Sequence, residues 1–404
     1  MTSSTDAANT IPTGSAVAPG RRSLAPDLAR GVMLLVIAVV HAHMYVQADD
    51  YLPLGYPTEG GLLDRAVAGV VTVMGDTRGY PMFAALFGYG VAQIHRRQQA
   101  AGREWHDIRR LLRQRGRWLV VFGGCHAVLL YSGDILAAYG LIALLLAGIL
   151  RFRDRSLLVA AGVLCLISTT LFSLISASAD MDGGASAVVS TTENPLRDAL
   201  NRATGWPGST LMLVFISVGP FMLGVWAARR RVLEEPGRHQ RFLRNTAAIG
   251  IAAAIAGGLP LALITSLVWT DPSQATLGMA GVLHMAGGVA GGLGYAALIG
   301  LLAVRVGEQR GPLVTALSAC GQRSMTCYLL QSVAWLGLFA PYTLNLGRHL
   351  GVAETVLVGV IVWACSVLIA DVLRRMNRRG PAETALRRLT YGPSRERSPA
   401  QKAS

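Results

Sequence analysis

The stretch LGMAGVLHMAGGVAGGLGYAALIGLLAV, residues 277–304, decides the fold class. It contains one histidine, His284, and no Asp, Glu, Lys or Arg. A bilayer-spanning α-helix needs about 20 predominantly apolar residues, and this stretch is longer. It therefore predicts a membrane-spanning helix. Its glycines between Gly287 and Gly294 predict close contact with a neighbouring helix, because small residues let helix backbones approach.

Similar apolar runs recur along the chain, which has 404 residues, 52% of them hydrophobic and 15% charged. Soluble domains carry about 25% charged residues, so the composition favours a membrane protein. The predicted fold is all-α, a polytopic transmembrane helical bundle of about ten spans within one domain, 23–392. The predicted spans are 29–47, 79–96, 117–132, 134–151, 156–177, 209–228, 246–269, 277–304, 314–340 and 352–373. Residues 62–74 predict a short amphipathic helix on the outer surface, or alternatively an eleventh hydrophobic segment.

Basic residues are concentrated in three segments between the predicted spans, 96–117, 229–244 and 374–402. Cytoplasmic loops of membrane proteins carry an excess of Lys and Arg, so ten spans with both termini in the cytoplasm place all three segments inside. The net charge of +14 is explained in this way, and no nucleic-acid partner is expected. The predicted location is the cell membrane (inner or plasma membrane), with disordered tails at 1–22 and 393–404.

Metal and nucleotide sites have no support in the sequence. The five cysteines all lie within apolar runs, and no His/Cys cluster has the spacing of a zinc site. Walker A, nucleotide-binding GxGxxG, HExxH and GxSxG motifs are also missing from the sequence. We therefore predict no metal and no bound cofactor.

Five polar residues fall in the outer half of the predicted bilayer: His41, Arg78, His126, Asp134 and His284. Ionisable groups in hydrocarbon are costly and usually face a bundle interior or a wet cavity, so the set predicts an outer-facing polar cavity. A neutral imidazole beside a carboxylate can act as a general base. Each residue also has a structural alternative: the histidines as interhelical hydrogen-bond partners, Asp134 as a helix cap, and Arg78 as its ion-pair partner.

Two further pairs carry polar chemistry. Asp27 and Arg30 stand three residues apart at the start of the first span and can pair on the cytoplasmic side, either as a functional pair or as an interfacial anchor. Tyr328 and Gln331 share one face of an unusually polar ninth span, as substrate contacts or as links between helices. Tyr139, just after the turn at Asp134, is a further candidate for substrate binding.

Four stretches together resemble the YeiB-like bacterial membrane proteins, the family called domain of unknown function 418. Residues 27–41, which are Asp-Leu-Ala-Arg-Gly and the apolar run after it, are similar to the family's LDxLRG opening, and residues 83–90 to its LFSLLFGxG segment. The segment 126–139, with His126, Gly-Asp-Ile-Leu and Tyr139, resembles H…GDIL..Y. Residues 380–392 resemble the ending GPxExxxRxxTYG, within a C-terminal family segment of about 230–392.

A fifth segment fits the family's GRxxLTNYLxQS pattern through Gly321, Thr326, Tyr328 and Gln331, with Gln322 and Cys327 as departures. The family's opening is similar to that of membrane acyltransferases, which move acyl groups across the bilayer onto sugars. In those enzymes a histidine follows the LRG-type start, and His41 fits that position, where the YeiB-like pattern more often has Asn.

This resemblance implies an acyltransferase as one hypothesis. Acyl-CoA is then a candidate cytoplasmic donor, and a small molecule, glycan or lipid the outer acceptor. His41 would act as base or acyl carrier, with His126 and Asp134 orienting it and Arg78 stabilising negative charge. The alternatives are a transporter or export/resistance protein with the same polar cavity, or a scaffold without chemistry. The substrate and the oligomeric state are not encoded in any pattern of the sequence.

Overall fold

The computed structural model describes residues 23–179, 192–307 and 309–391. The predicted tails, 1–22 and 393–404, therefore lie outside the described residues, as do residues 180–191 of the predicted loop before the sixth span. The helices are α1 Leu24–His43, α2 Leu62–Met74, α3 Gly79–Ala100, α4 Trp105–Leu129, α5 Ile135–Leu145, α6 Asp154–Ala179, α7 Pro195–Arg229, α8 Gln240–Thr265, α9 Gln274–Val306, α10 Pro312–Gln322, α11 Ser324–Phe339, α12 Val352–Arg375 and α13 Pro381–Tyr391. A two-stranded antiparallel hairpin, β1 Tyr51–Leu52 and β2 Tyr56–Pro57, follows α1.

The prediction of an all-α membrane fold is confirmed. Within the described residues, six helices are long and apolar enough to cross a bilayer: α1, α6, α7, α8, α9 and α12. The shorter apolar helices α5 and α11 lie within two further predicted spans. On α6, large apolar side chains such as Val159 and Leu166 are more than half exposed, which suits a surface that faces lipid chains. The chain is thus a multi-pass membrane protein, and the count of ten spans stays a prediction.

The predicted ninth span is not one helix, because the helical backbone breaks at Arg323 between α10 and α11. The Arg323 guanidinium donates from Nη2 to the Arg378 carbonyl at 2.6 Å and from Nη1 to the Ala319 carbonyl at 3.2 Å. Arg378 follows α12, in a segment predicted to be cytoplasmic. Arg323 is thus bonded to the segment after α12, which the ten-span prediction places in the cytoplasm.

Close helix crossings occur where glycines face neighbouring backbone. A Cβ atom added at Gly224 of α7 would lie 1.8 Å from the Ala85 carbonyl oxygen of α3, and one at Gly321 of α10 would lie 1.7 Å from the Asp27 oxygen of α1. In α9, a Cβ at Gly287 would lie 2.7 Å from the Ala253 oxygen of α8. The glycine-rich stretch of α9 therefore makes the close helix contact that its sequence predicts.

The bundle has two chemically different ends. At one end α3 finishes, α4 begins and α12 finishes, and we call this end the arginine face because it carries the basic segments. The loop after α1, with the β1–β2 hairpin, and the loop between α8 and α9 form the opposite face. The sites described below are assigned to one of these two ends.

Candidate functional site

A buried cluster of three polar side chains joins α4, α5 and α11. His126 Nδ1 lies 2.8 Å from Asp134 Oδ1, and His126 Nε2 lies 2.8 Å from Ser332 Oγ. The contact between His126 and Asp134 has ion-pair distance, although the ring N–H is not aligned for a regular hydrogen bond. All three residues are at most 4% exposed. We call His126, Asp134 and Ser332 the relay cluster.

Local sequence explains how two members of the cluster meet. His126 lies in the last turn of α4, and Asp134 is the residue before α5, so a short turn brings them together. Asp134 Oδ2 accepts a hydrogen bond from the Ala137 N–H at 2.6 Å, which caps α5. Gly123 makes room for the carboxylate, because a Cβ there would lie 2.2 Å from Asp134 Oδ2. Asp134 therefore both caps a helix and contacts His126.

The end of α4 is held from outside the cluster by α7. Arg202 donates from Nε to the Val128 carbonyl at 3.0 Å and forms an ion pair with the buried Asp198. The Tyr342 hydroxyl donates to Asp198 Oδ2 at 2.7 Å. Burial, together with this hydrogen bond, raises the pKa of Tyr342 above its ordinary value. These contacts fix the helix end two residues beyond His126.

A cavity of about 330 Å³ extends from the arginine face toward the relay cluster, none of whose three residues lines it. Tyr139 and Tyr328 lie at its inner end, and the Tyr328 ring centroid is 4.9 Å from that of His126. The Tyr139 ring stacks on Phe87 at 4.7 Å, and its buried hydroxyl has no partner among the described residues. The cavity therefore ends in two phenol rings, with the relay cluster directly behind Tyr328.

The mouth of this cavity is basic. Arg30, Arg97 and Arg115 line it, and Arg97 is exposed at the end of α3. Arg30 also pairs with Asp27 at 3.4 Å, in the i, i+3 geometry expected from the sequence. A second cavity of about 820 Å³ adjoins the mouth and shares Arg30 and Arg97 with it. Guanidinium groups suit phosphate and carboxylate groups, so this mouth suits an anionic ligand.

One carboxylate, Glu383 of α13, also lines the cavity. Its Oε1 accepts the backbone N–H of Met325 at 2.8 Å and of Thr326 at 3.1 Å, and its Oε2 accepts the Thr326 hydroxyl at 2.5 Å. The two backbone N–H groups belong to the first turn of α11, where N–H donors have no partner within their own helix. Glu383 thus caps α11 and anchors α13 beside the cavity.

We expect Glu383→Ala to lower the free energy of unfolding by about 1–2 kcal/mol, because it removes the cap of α11. The midpoint of thermal unfolding in detergent measures this. Glu235→Ala is the matched control, because Glu235 bonds only arginine side chains near the surface. Equal midpoints for the two variants would contradict the capping role.

Arg78 and His284 form a second cluster, apart from the first. Arg78 Nη1 lies 3.1 Å from His284 Nδ1 and 2.5 Å from the Asp76 carbonyl oxygen, and Arg78 Nη2 donates to the Ala254 carbonyl at 2.8 Å. Arg78 is fully buried and is paired with His284 rather than Asp134. The predicted set of five is therefore divided between two places in the described structure.

His41 and Gln331 lie near the first cluster without joining it. The His41 ring packs on Tyr131 with centroids 4.7 Å apart, and it is close enough to His126 for charges on the two rings to interact. Gln331 Nε2 reaches the Leu34 carbonyl at 3.4 Å, as expected of a residue that links helices. The described residues therefore do not bring the five predicted residues, His41, Arg78, His126, Asp134 and His284, into one cluster.

Several residues of the site had no distinguishing signal in the sequence. Ser332 was one of many polar residues in its span, and Arg97 and Arg115 were two of the arginines in one basic loop. Glu383 matches the glutamate of the family's C-terminal pattern, but that pattern assigns no function to the glutamate. The described residues contain no group of three or more His, Cys, Asp or Glu side chains placed to hold a metal ion.

Comparison with known proteins finds one family model and two uncharacterized relatives that are similar to this chain. Residues 227–393 match the family model described as "Protein of unknown function (DUF418)". The chain is 25% identical over 398 residues to the uncharacterized protein YxaH of Bacillus subtilis (strain 168), covering 90% of this chain and 93% of that protein. It is 28% identical over 400 residues to the uncharacterized protein YeiB of Escherichia coli (strain K12), covering 91% and 96%. The predicted resemblance is thus confirmed: residues 227–393 carry a DUF418 match, and nearly the whole chain is similar to YxaH and YeiB.

Proposed function

We propose that this protein is an acyltransferase of the cell membrane, which moves an acyl group from a cytoplasmic donor to an acceptor at the opposite face. The observation that carries the proposal is the relay cluster directly behind the end of the arginine-lined cavity. A carboxylate, an imidazole and a hydroxyl in this order are the groups of nucleophilic acyl transfer. Acyl-CoA is the donor we assign, with its phosphates at Arg30, Arg97 and Arg115.

The proposed chemistry proceeds in two balanced steps. His126 Nε2 takes the proton of Ser332, whose Oγ bonds to the acyl carbon; the carbon–sulfur bond breaks, and the thiolate leaves with the proton from His126. In the second step an acceptor hydroxyl or amine gives its proton to His126 and attacks the acyl-serine, and Ser332 Oγ recovers the proton. Asp134 stabilises the imidazolium in both steps. The Tyr328 ring turns aside to admit the acyl group.

His41 has a different role here from the one that the resemblance implies. The Ser332 hydroxyl contacts His126 Nε2, whereas the His41 ring packs on Tyr131. We therefore assign the base to His126. Tyr139 stays at the inner end of the donor cavity, and we assign His41 and Gln331 to the acceptor side, where a glycan or lipid hydroxyl is the acceptor class we propose.

The direct test uses purified protein in liposomes with labelled acyl-CoA and a panel of sugar and lipid acceptors. We expect covalent label on the protein when acceptor is omitted, and loss of that label in Ser332→Ala. Ser366→Ala is the matched control, since Ser366 is also buried and its hydroxyl bonds the Val362 carbonyl one turn back. Label that survives in Ser332→Ala, or no transfer to any acceptor, would refute the mechanism.

The donor site makes a separate prediction. Replacing both Arg97 and Arg115 by Gln removes two cavity cations, and we expect the KM for acyl-CoA to rise about tenfold or more with a smaller change in kcat. Arg110→Gln is the control, because Arg110 is exposed on α4 and does not line the cavity. An unchanged KM in the double variant would remove the anionic donor from this cavity.

Proton-coupled export is the second candidate. His41 and Tyr131 extend the titratable groups from His126 toward the opposite face, where a separate cavity of about 500 Å³ lies beside His284. Two cavities at opposite ends of a bundle with a buried acid–imidazole pair between them also suit alternating access. Proton-driven flux in vesicles that Asp134→Asn abolishes, without any acyl transfer, would favour export over the enzyme.

A further inference from the structure

The cavity at the opposite face has apolar walls and one polar end. Its volume is about 500 Å³, within the range of small-molecule sites. Leu54, Phe172, Leu261 and Leu277 are among the apolar residues that line it, and His284 lies at its buried end. Such a cavity suits a ligand with an apolar body and a polar head directed at His284.

Behind His284 lies the fully buried side chain of Arg78. No carboxylate in the described part of the chain lies within 4.0 Å of its guanidinium nitrogens. The nearby Asp76 offers Arg78 its backbone carbonyl, while its carboxylate accepts the Tyr56 hydroxyl at 2.7 Å. Among the described residues, Arg78 Nε has no hydrogen-bond partner. A buried cation of this kind is costly and marks a functional site.

The glycines around Arg78 leave the space that its side chain fills. A Cβ at Gly258 would lie 2.6 Å from Arg78 Nη2, and one at Gly291 would lie 3.3 Å from Arg78 Cγ. A Cβ at Gly288 would lie 2.2 Å from Thr77 Oγ1. Helices α8 and α9 thus provide a socket shaped for an arginine at the point where it meets His284.

The chemistry of this pair defines the ligand. Arg78 Nη1 lies 3.1 Å from His284 Nδ1 and 3.2 Å from His284 Nε2, so the guanidinium contacts the ring beside both of its nitrogens. The polar end of the cavity is then the imidazole of His284 with the positive charge of Arg78 behind it. We propose that this cavity binds a long-chain carboxylic acid, with the chain between α6, α8 and α9 and the carboxylate at His284.

The single charge selects a carboxylate over a phosphate monoester. One guanidinium beside a neutral imidazole balances one negative charge, whereas a phosphate monoester carries close to two near neutral pH. None of these residues belongs to the relay cluster or to the arginine-lined cavity. The site is therefore independent of the proposed acyl transfer, and its test uses binding rather than activity.

The experiment labels the full-length protein in detergent with a photoactivatable long-chain fatty acid and maps the labelled peptides. Gly281 lines the cavity, and a Cβ atom added there would lie 3.6 Å from the Ser173 Cβ. The larger side chain of Gly281→Leu therefore fills the cavity. Gly278→Leu is the matched control on the same helix, facing open space. We expect Gly281→Leu to reduce labelling of peptides from 51–54 and 270–285 at least fivefold, and Gly278→Leu to leave it unchanged.

The head group is tested with three probes of equal chain length: the free acid, its methyl ester and a lysophosphatidate analogue. We expect the free acid to label at least fivefold more than either of the others, and Arg78→Gln to abolish this preference. Where Arg78→Gln does not fold, Gly281→Leu and the probe comparison carry the test. Equal labelling by the acid and its ester would mean that the probes occupy only the surrounding lipid layer. Stronger labelling by the phosphate probe would mean that the site prefers a phosphate to a carboxylate. Either result overturns the proposal.

Discussion

Asp134→Asn is expected to reduce acyl transfer about 100-fold or more while the protein stays folded. The asparagine oxygen can still accept the Ala137 N–H and cap α5, because Asn is as good a capping residue as Asp. The negative charge 2.8 Å from His126 Nδ1 is lost, however, and the imidazolium that forms during transfer loses its stabilisation. General acid–base groups contribute about 10²–10⁴ in rate. Transfer rates and thermal midpoints, measured side by side, check this.

Asp134→Ala separates the two roles of the carboxylate. It removes both the cap and the charge, so we expect the same loss of transfer together with a lower thermal midpoint. If Asp134→Asn transfers at the wild-type rate while Asp134→Ala unfolds, the carboxylate is only a helix cap. The relay mechanism would then be wrong.

The other two relay residues extend the same prediction. We expect His126→Gln and Ser332→Ala each to cost about as much activity as the double variant, because residues that act as one unit are not additive. Two independent losses that multiply in the double variant would instead indicate separate roles. The comparison needs only relative rates, so it holds for whichever acceptor proves active.

The sequence predicted the part of the site that lies close together in the chain. His126 and Asp134 stand at the end of one helix and the start of the next, so the turn between them forces proximity. Ser332 is 206 positions from His126, and His284 is 206 positions from Arg78. Depth in the bilayer is a single coordinate, so it grouped five residues that helix rotation and lateral packing divide between two clusters.

Hydropathy likewise predicted where helices lie, but not where a helix is interrupted. The amphipathic segment 62–74 is the helix α2 as predicted, because its apolar spacing is local information. The break at Arg323 depends on the Arg378 carbonyl and on Glu383, which come from the chain beyond α12. A hydrophobic run therefore predicts a crossing of the membrane, but not whether one helix or two make that crossing.

The glycine crossings carry the largest expected effect on folding. We expect Gly224→Ala to destabilise the protein by about 3 kcal/mol and to lower the thermal midpoint by roughly 5 °C or more. The added Cβ would lie 1.8 Å from the Ala85 oxygen and 2.8 Å from the Ala85 Cα. Both atoms belong to backbone, which cannot rotate away as a side chain does, so α3 and α7 must separate.

Gly208→Ala on the same helix provides the control, since a Cβ there would meet open space. Alanine favours a helix over glycine by up to about 1 kcal/mol, so this variant should be neutral or slightly more stable. Because α3 also carries Phe87 and Arg97 of the cavity, Gly224→Ala should lose acyl transfer together with stability, whereas Gly208→Ala keeps both. Equal thermal midpoints for the two variants would mean that the α3–α7 contact is looser than these distances, and the cavity built on it would be open to question.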